Sequence, residues 1–391
     1  MKGLILQAEK EPKAGYVFSD FEKITGKAIT GSSVWRNPKM KLTSVSDPTP
    51  GPDDVVVRVR YCGVCGSDVH FYETDRDGYM LYPGLTKFPN VIGHELSGVV
   101  EEVGSNVKDL KPGSCVTCEE MIWCGDCVPC RNGYPNHCNN LEEVGFTING
   151  GFADYLVIGA KYCWSVDSLL ECYGTSEKAM QAAALCEPTS VAYNALFVRA
   201  GGFYPGAYVV VYGAGPIGLA AIALARAAGA SKVMAFEVSE FRRKLALKMG
   251  ASDVLNPLEF ENNGRTAAEA LMQLTHGEGA DMLVEASGVM SKTIPQIQCA
   301  LAINGKIVII GRAAEHVPMY LEHLQVRRSQ IYGAQGHSGH AIFPNVIRMM
   351  SSGLIDMTQA ITLVQPLEDA PAAIQRLSKD RTDGKIMIKV S

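Results

Sequence analysis

The sequence predicts an α/β protein of two domains. One is a small β-rich lobe in the N-terminal half, to which the C-terminal tail returns, and the other is a doubly wound parallel-sheet domain between them. Three observations carry this. The 391 residues exceed the size at which a single hydrophobic core keeps growing. Residues 208–226 run from an apolar strand through Gly-x-Gly-x-x-Gly into an alanine-rich helix, and strands then alternate with helical stretches to about residue 311. The first half instead has short alternating strands and turns, interrupted by clustered cysteines.

Composition narrows the function. Lys and Arg total 36 against 41 Asp and Glu, a net charge of −5, which argues against nucleic acid or an anionic membrane and leaves small molecules as partners. Hydrophobic content of 47% and charged content of 20% are ordinary for a globular enzyme. The opening apolar run is broken at Gln7 and Glu9, too early for a signal sequence, and no run of about 18 apolar residues follows. A cytoplasmic location is the expectation. The 12 cysteines are read as reduced, because four of them cluster at metal-ligand spacing.

In chain order, residues 1–50 open on a strand, lose any clear period over residues 15–38, and suggest an inserted surface loop or hairpin. Residues 55–61 alternate apolar and polar after their first valines, as a half-buried strand does, and lead into Cys65. The stretch 71–90 carries Tyr72, Tyr79, Tyr82 and Phe88 among the breakers Gly78, Pro83, Gly84 and Pro89. It reads as a loop whose aromatics either cover a core edge or meet a substrate. Residues 96–104 form a further strand, followed by a turn ending at Gly113.

Two cysteine patterns follow. Cys124, Cys127, Cys130 and Cys138, at spacings of three, three and eight, fit a closed tetrahedral zinc site that pins a loop, with Cys118 near enough to be a spare. The other pattern is dispersed: Cys65-Gly-Ser67-Asp68-Val-His70, then Gly93-His94-Glu95, then Glu187-Pro188. If Cys65, His94 and a carboxylate hold zinc with one position open, the metal favours an alkoxide, which releases hydride to a nicotinamide. Ser67 and His70 would pass the proton outward. Taken singly, these residues have ordinary readings: a cysteine in a core, a hydrogen-bonded His-Glu pair, an Asp68 that caps a turn.

At Gly213-Ala-Gly215-Pro216-Ile217-Gly218 the flanking strand and helix give the glycine pattern its meaning. Gly213 permits the tight turn, Gly215 lets backbone approach a pyrophosphate, and Gly218 packs helix on strand, while the helix N-terminus attracts the anion. Glu237, 24 residues beyond Gly213, ends the second strand where a carboxylate binds the ribose hydroxyls of NAD and repels a 2′-phosphate. Arg242 keeps the NADP alternative open; Arg243 reads as part of a solvated helix face.

With these motifs, the ordered set from Cys65 to the closing Gly384-Lys385 resembles the medium-chain, zinc-dependent alcohol dehydrogenase superfamily over nearly the whole chain. The resemblance implies a GroES-like catalytic domain of residues 1–190 and 336–391 around a Rossmann NAD-binding domain of residues 191–335. It also implies two zinc ions per subunit, one catalytic and one structural, and a homodimer or homotetramer. The similarity is greatest to the polyol branch, which includes sorbitol, butanediol and threonine dehydrogenases. There the catalytic ligands are a Cys, a His, the Glu beside it and often a Glu before Pro, which correspond to Cys65, His94, Glu95 and Glu187. Cys186 stands one place away from where a cysteine ligand would fall.

Residues 79–89, 119–124 and 336–340 are similar to a bacterial group linked to inositol and inosose oxidation. The expected substrate is therefore a cyclic polyol. An acyclic polyol, a vicinal diol or L-threonine is the alternative, and a non-catalytic NAD-binding protein with one structural zinc the remote one. Tyr72, Glu120, Arg312, Gln335, His337 and His340 are polar residues placed to hold hydroxyls.

Overall fold

Alternation along residues 54–63 sets the layout of the β-lobe. In the computed structural model, which describes residues 1–313, 316–379 and 383–391, strand Asp54–Gly63 buries Val55, Val57 and Val59 completely. It pairs antiparallel with Glu95–Val103 and Tyr155–Gly159, and its last residues pair with Lys385–Lys389. The final strand is apolar from Ile386 to Ile388, and burying that row against Cys62 and Gly63 returns the tail to the first lobe. Lys385 is thereby delivered beside the chain that leads to Cys65.

The insertion after the first strand is a hairpin: Lys2–Lys10 pairs antiparallel with Trp35–Ser44, with a bulge between Gln7 and Glu9. A short helix, Asp20–Thr25, interrupts it, capped by reciprocal bonds between Ser19 and Glu22. In the stretch after helix Gly66–Tyr72, the Tyr82 and Phe88 rings pack edge-on to Phe71 at 4.9 and 5.6 Å. Tyr82 covers this core edge and also lines the central cavity.

The second sheet is wholly parallel, in the order Asp253–Leu255, Lys232–Phe236, Tyr208–Tyr212, Ala280–Glu285, Leu301–Ile309, Gln330–Gly333. Val209, Val210 and Val211 are fully buried, as a strand covered on both faces requires. The order reverses at Tyr208–Tyr212, and in such sheets the crevice at the carboxyl ends of the switch strands receives the ligand. One apolar core runs from Tyr61 and Met387 of the lobe to Val209 and Val211 of this sheet. Among the described residues, no helix is long and apolar enough to cross a membrane.

Candidate active site

A cavity of about 420 Å³ opens where the two sheets meet. Cys65, Ser67, His70, His94, Glu95 and Glu187 line it from the lobe, and Gly215, Pro216, Ile217 and Arg242 from the parallel-sheet side. Motifs separated by more than 170 residues in the sequence thus share one wall-to-wall space.

Cys65 is the N-cap of helix Gly66–Tyr72, and its backbone N–H donates to Asp68 Oδ2 at 2.9 Å. Asp68 therefore caps the turn, and its complete burial pushes its carboxyl up to about 6. Ser67 Oγ is buried without a hydrogen-bond partner among the described residues. His94 follows Gly93, whose φ of +93° and a phantom Cβ only 2.7 Å from the Phe152 ring leave glycine as the fit. The imidazole is 4% exposed, and its Nδ1 has no hydrogen-bond partner among the described residues.

Glu95 has a partner from the far end of the chain, the lysine of the closing Gly384-Lys385. Lys385 Nζ donates to both of its oxygens at 2.6 Å and to Val64 O at 3.0 Å, all in the buried interior. Burial works against the charge on Lys385, but Glu95 and the other acidic groups nearby outweigh it and hold the amine above its usual range. A lysine opening an otherwise apolar strand was the available signal, since such an amine has to find a carboxylate when buried.

The ligating atoms of Cys65, His94 and Glu95 all lie within 4.8 Å of one another. Glu187 falls in an adjoining group with Glu120 and His337, again within 4.8 Å. His337 Nε2 is 3.2 Å from Glu187 Oε1, without the alignment of a hydrogen bond. Behind it, Ser338 Oγ donates to Glu119 Oε2 at 2.6 Å and Trp164 Nε1 donates to Glu119 Oε1 at 3.0 Å, so the wall is braced in depth. Cys186 points the other way, its sulfur 3.9 Å from Met350 Sδ in the core.

These residues fit zinc. A thiol, an imidazole with an unpartnered buried nitrogen and a carboxylate converge beside an open cavity, which is the donor set of a catalytic site. The sulfurs of Cys124, Cys127, Cys130 and Cys138 converge as well. Backbone N–H groups of Cys124 and Asn140 donate to Cys138 Sγ at 3.3 Å, and that of Asn139 to Cys127 Sγ at 3.4 Å. The N–H groups of Asp126 and Cys127 pull the Cys124 thiol down to about 6, favouring the thiolate that a metal binds. Cys118 is no spare: it lies on another strand, 3.7 Å from Cys163 Sγ, because its strand pairs with Cys163–Ser165.

On the cofactor side, Gly213 has φ +92°, and a Cβ on Gly218 would stand 1.9 Å from Gly213 O. Glu237 accepts from Ala214 N and Ser239 N, each at 2.8 Å, which ties the end of the second strand to the glycine turn. A carboxylate retains acceptor sites beyond these two. Arg242 lines the cavity and donates to Asp383 O at 2.9 Å. Arg243 lies on a partly exposed helix face, and its guanidinium folds back to donate to Glu237 O and Val238 O. Of the polar candidates, Glu120, Arg312 and Gln335 line the cavity, whereas His340 sits against Gly133 O on the cysteine loop. Glu143, which the sequence reading passed over, lines it too.

A closed four-thiol site, an open thiol-imidazole-carboxylate site and a glycine turn facing it across one cavity define a metal-assisted nicotinamide dehydrogenase. Residues 51–168 match the alcohol dehydrogenase GroES-like domain, and residues 216–352 match the zinc-binding dehydrogenase family. The chain is 45% identical to scyllo-inosose 3-dehydrogenase of Thermotoga maritima, over 99% of both chains. It is 32% identical to L-threonine 3-dehydrogenase of Pyrococcus horikoshii, over 82% of this chain and 87% of the other. A solved structure assigned as an alcohol dehydrogenase of Thermotoga maritima superimposes with a TM-score of 0.94 at 43% identity, covering 100% of each chain. The chain belongs to the zinc-dependent alcohol dehydrogenase family, with a GroES-like domain joined to a Rossmann-type domain. It is an NAD-dependent, zinc-dependent oxidoreductase acting on an alcohol.

Proposed function

We propose that the enzyme oxidises a secondary hydroxyl of a cyclic polyol of the inositol or inosose class, or reduces the corresponding ketone. The observation that carries this is the full-length likeness to scyllo-inosose 3-dehydrogenase at 45% identity. The density of carboxylate and guanidinium groups in the cavity agrees with it. Zinc bound at Cys65, His94 and Glu95, with Glu187 as the second carboxylate, supplies a Lewis acid that favours the alkoxide. Lys385 braces both oxygens of Glu95 from within the buried interior. Ser67 and His70 lead the alcohol proton outward.

Gly213, Gly215 and Gly218, with Pro216 and Ile217 opening the helix, hold the pyrophosphate; Glu237 takes the ribose, and Arg242 borders the same space. Cys124, Cys127, Cys130 and Cys138 hold the structural zinc. Residues 1–190 and 336–391 act as the catalytic domain and 191–335 as the cofactor domain. The enzyme works in the cytoplasm as a homodimer or homotetramer.

The test is kcat/KM for NAD reduction across inositols, inososes, sorbitol, butanediol and threonine. A cyclic polyol is expected to exceed every open-chain compound by at least about tenfold, and a preference for sorbitol, butanediol or threonine would overturn the cyclic assignment. L-Threonine is the second reading, favoured by the threonine dehydrogenase relatives.

A further inference from the structure

Oxidising one hydroxyl leaves the rest of a polyol unaccounted for, and the cavity holds carboxylates that the reaction does not use. Glu120 and Glu143 line it and are 6% and 4% exposed. Among the described residues no donor hydrogen-bonds either carboxylate, and Glu143 Oε2 is buried with no partner there. The approach of His337 Nε2 to Glu120 Oε2, at 3.9 Å, is too long for a hydrogen bond. A buried carboxylate oxygen without a donor, as at Glu143 Oε2, is a standing penalty in the folded chain. Arg312 Nη1 donates to Tyr82 Oη at 2.6 Å, and both of those residues line the same cavity.

The chain places this pair deliberately in structural terms. Strand Met121–Ile122 pairs antiparallel with Glu142–Glu143, Met121 directly opposite Glu143, and Val144 N donates to Glu120 O at 2.9 Å. This ribbon is the stem of the loop that runs from Cys124 to Cys138, and Met121, Cys138 and Leu141 share one small core. Both acids are thus fixed by backbone pairing and by the four-cysteine loop rather than by contacts of their own side chains.

A hydroxyl both donates and accepts, so a ring bearing several of them needs acceptors and donors arranged around it. We propose that Glu120 and Glu143 are specificity-determining residues that accept hydrogen bonds from substrate hydroxyls other than the one oxidised, with Arg312 and Tyr82 of the same cavity as donors. This rests on the reading that the substrate is a polyol. It adds the subsite that separates a polyhydroxylated substrate from a simple secondary alcohol.

The test uses the zinc-loaded, full-length enzyme and the variants Glu143→Gln and Glu120→Gln. The readouts are kcat/KM for each polyol that the wild type oxidises, kcat/KM for cyclohexanol as a monohydric reference, and inhibition constants of inositol stereoisomers. NADH affinity by fluorescence and a thermal melt verify the fold. Each variant is expected to lower the ratio of polyol to cyclohexanol kcat/KM by about tenfold to a hundredfold, mainly through KM, and to weaken inositol inhibition likewise. An unchanged ratio, or unchanged inhibition constants, overturns the proposal. If a Gln variant does not fold, Glu143→Asp and Glu120→Asp keep the charge, shorten its reach, and are scored the same way. A wild type that prefers open-chain polyols sinks the cyclic assignment alone, whereas polyol turnover with unaffected ratios sinks the subsite alone.

Discussion

The two cysteine-bearing centres are built on opposite principles. The four-cysteine loop takes all its sulfurs from 15 consecutive residues, 124–138, and dresses them with backbone N–H groups of the same loop. The cavity site draws Cys65, His94, Glu95, Glu187, His337 and Lys385 from five separate segments, and its polar groups are buried with few partners. A local centre specifies itself, whereas a dispersed one depends on every strand arriving in register. The first is therefore expected to report on stability when broken, and the second on turnover or on the register that delivers its residues.

The sharpest break in that comparison is Cys65→Ser, which should lower kcat by roughly a thousandfold or more through loss of the metal's several kcal/mol of charge stabilisation, with little change in thermal midpoint. Steady-state kinetics beside a melting curve checks it. Next is Lys385→Met. It removes the amine bonded to both buried oxygens of Glu95 and should destabilise the zinc-stripped fold by about 3–5 kcal/mol, seen in denaturant unfolding. That result would show a dispersed site whose supporting residue is as structural as any loop.

Cys130→Ser should act in the other sense, lowering the melting midpoint by roughly 10 °C as the loop loses its metal. Because the loop's stem carries Glu120 and Glu143, KM for a polyol should rise by more than kcat falls. The smallest effect is expected from His337→Gln, which removes the basic partner beside Glu187 and should reduce kcat/KM by about tenfold to a hundredfold, with thermal stability the control.

The same contrast explains what could be read from the sequence. The four cysteines, the glycine turn and the apolar strand before it were legible because each is contiguous and its spacing carries the mechanism. Glu237 was legible as the end of a strand, but not its bonds to Ala214 N and Ser239 N, which depend on how the next turn closes. Lys385 as partner of Glu95 and Glu143 as a cavity acid were missed. Their positions follow from strand pairing over nearly 300 residues in one case and from a two-residue ribbon in the other. Cys118 looked close to the zinc loop in sequence, yet a strand carries it to Cys163.

The central claim is that the Cys65, His94 and Glu95 set is a zinc site working on a polyol held against NAD. The most direct measurement follows NADH formation from a cyclic polyol while zinc is stripped by a chelator and then restored, with bound zinc counted per chain. The account predicts that turnover disappears with the first zinc lost and returns when zinc is added back. Full turnover in a chain holding only the four-cysteine zinc would contradict it.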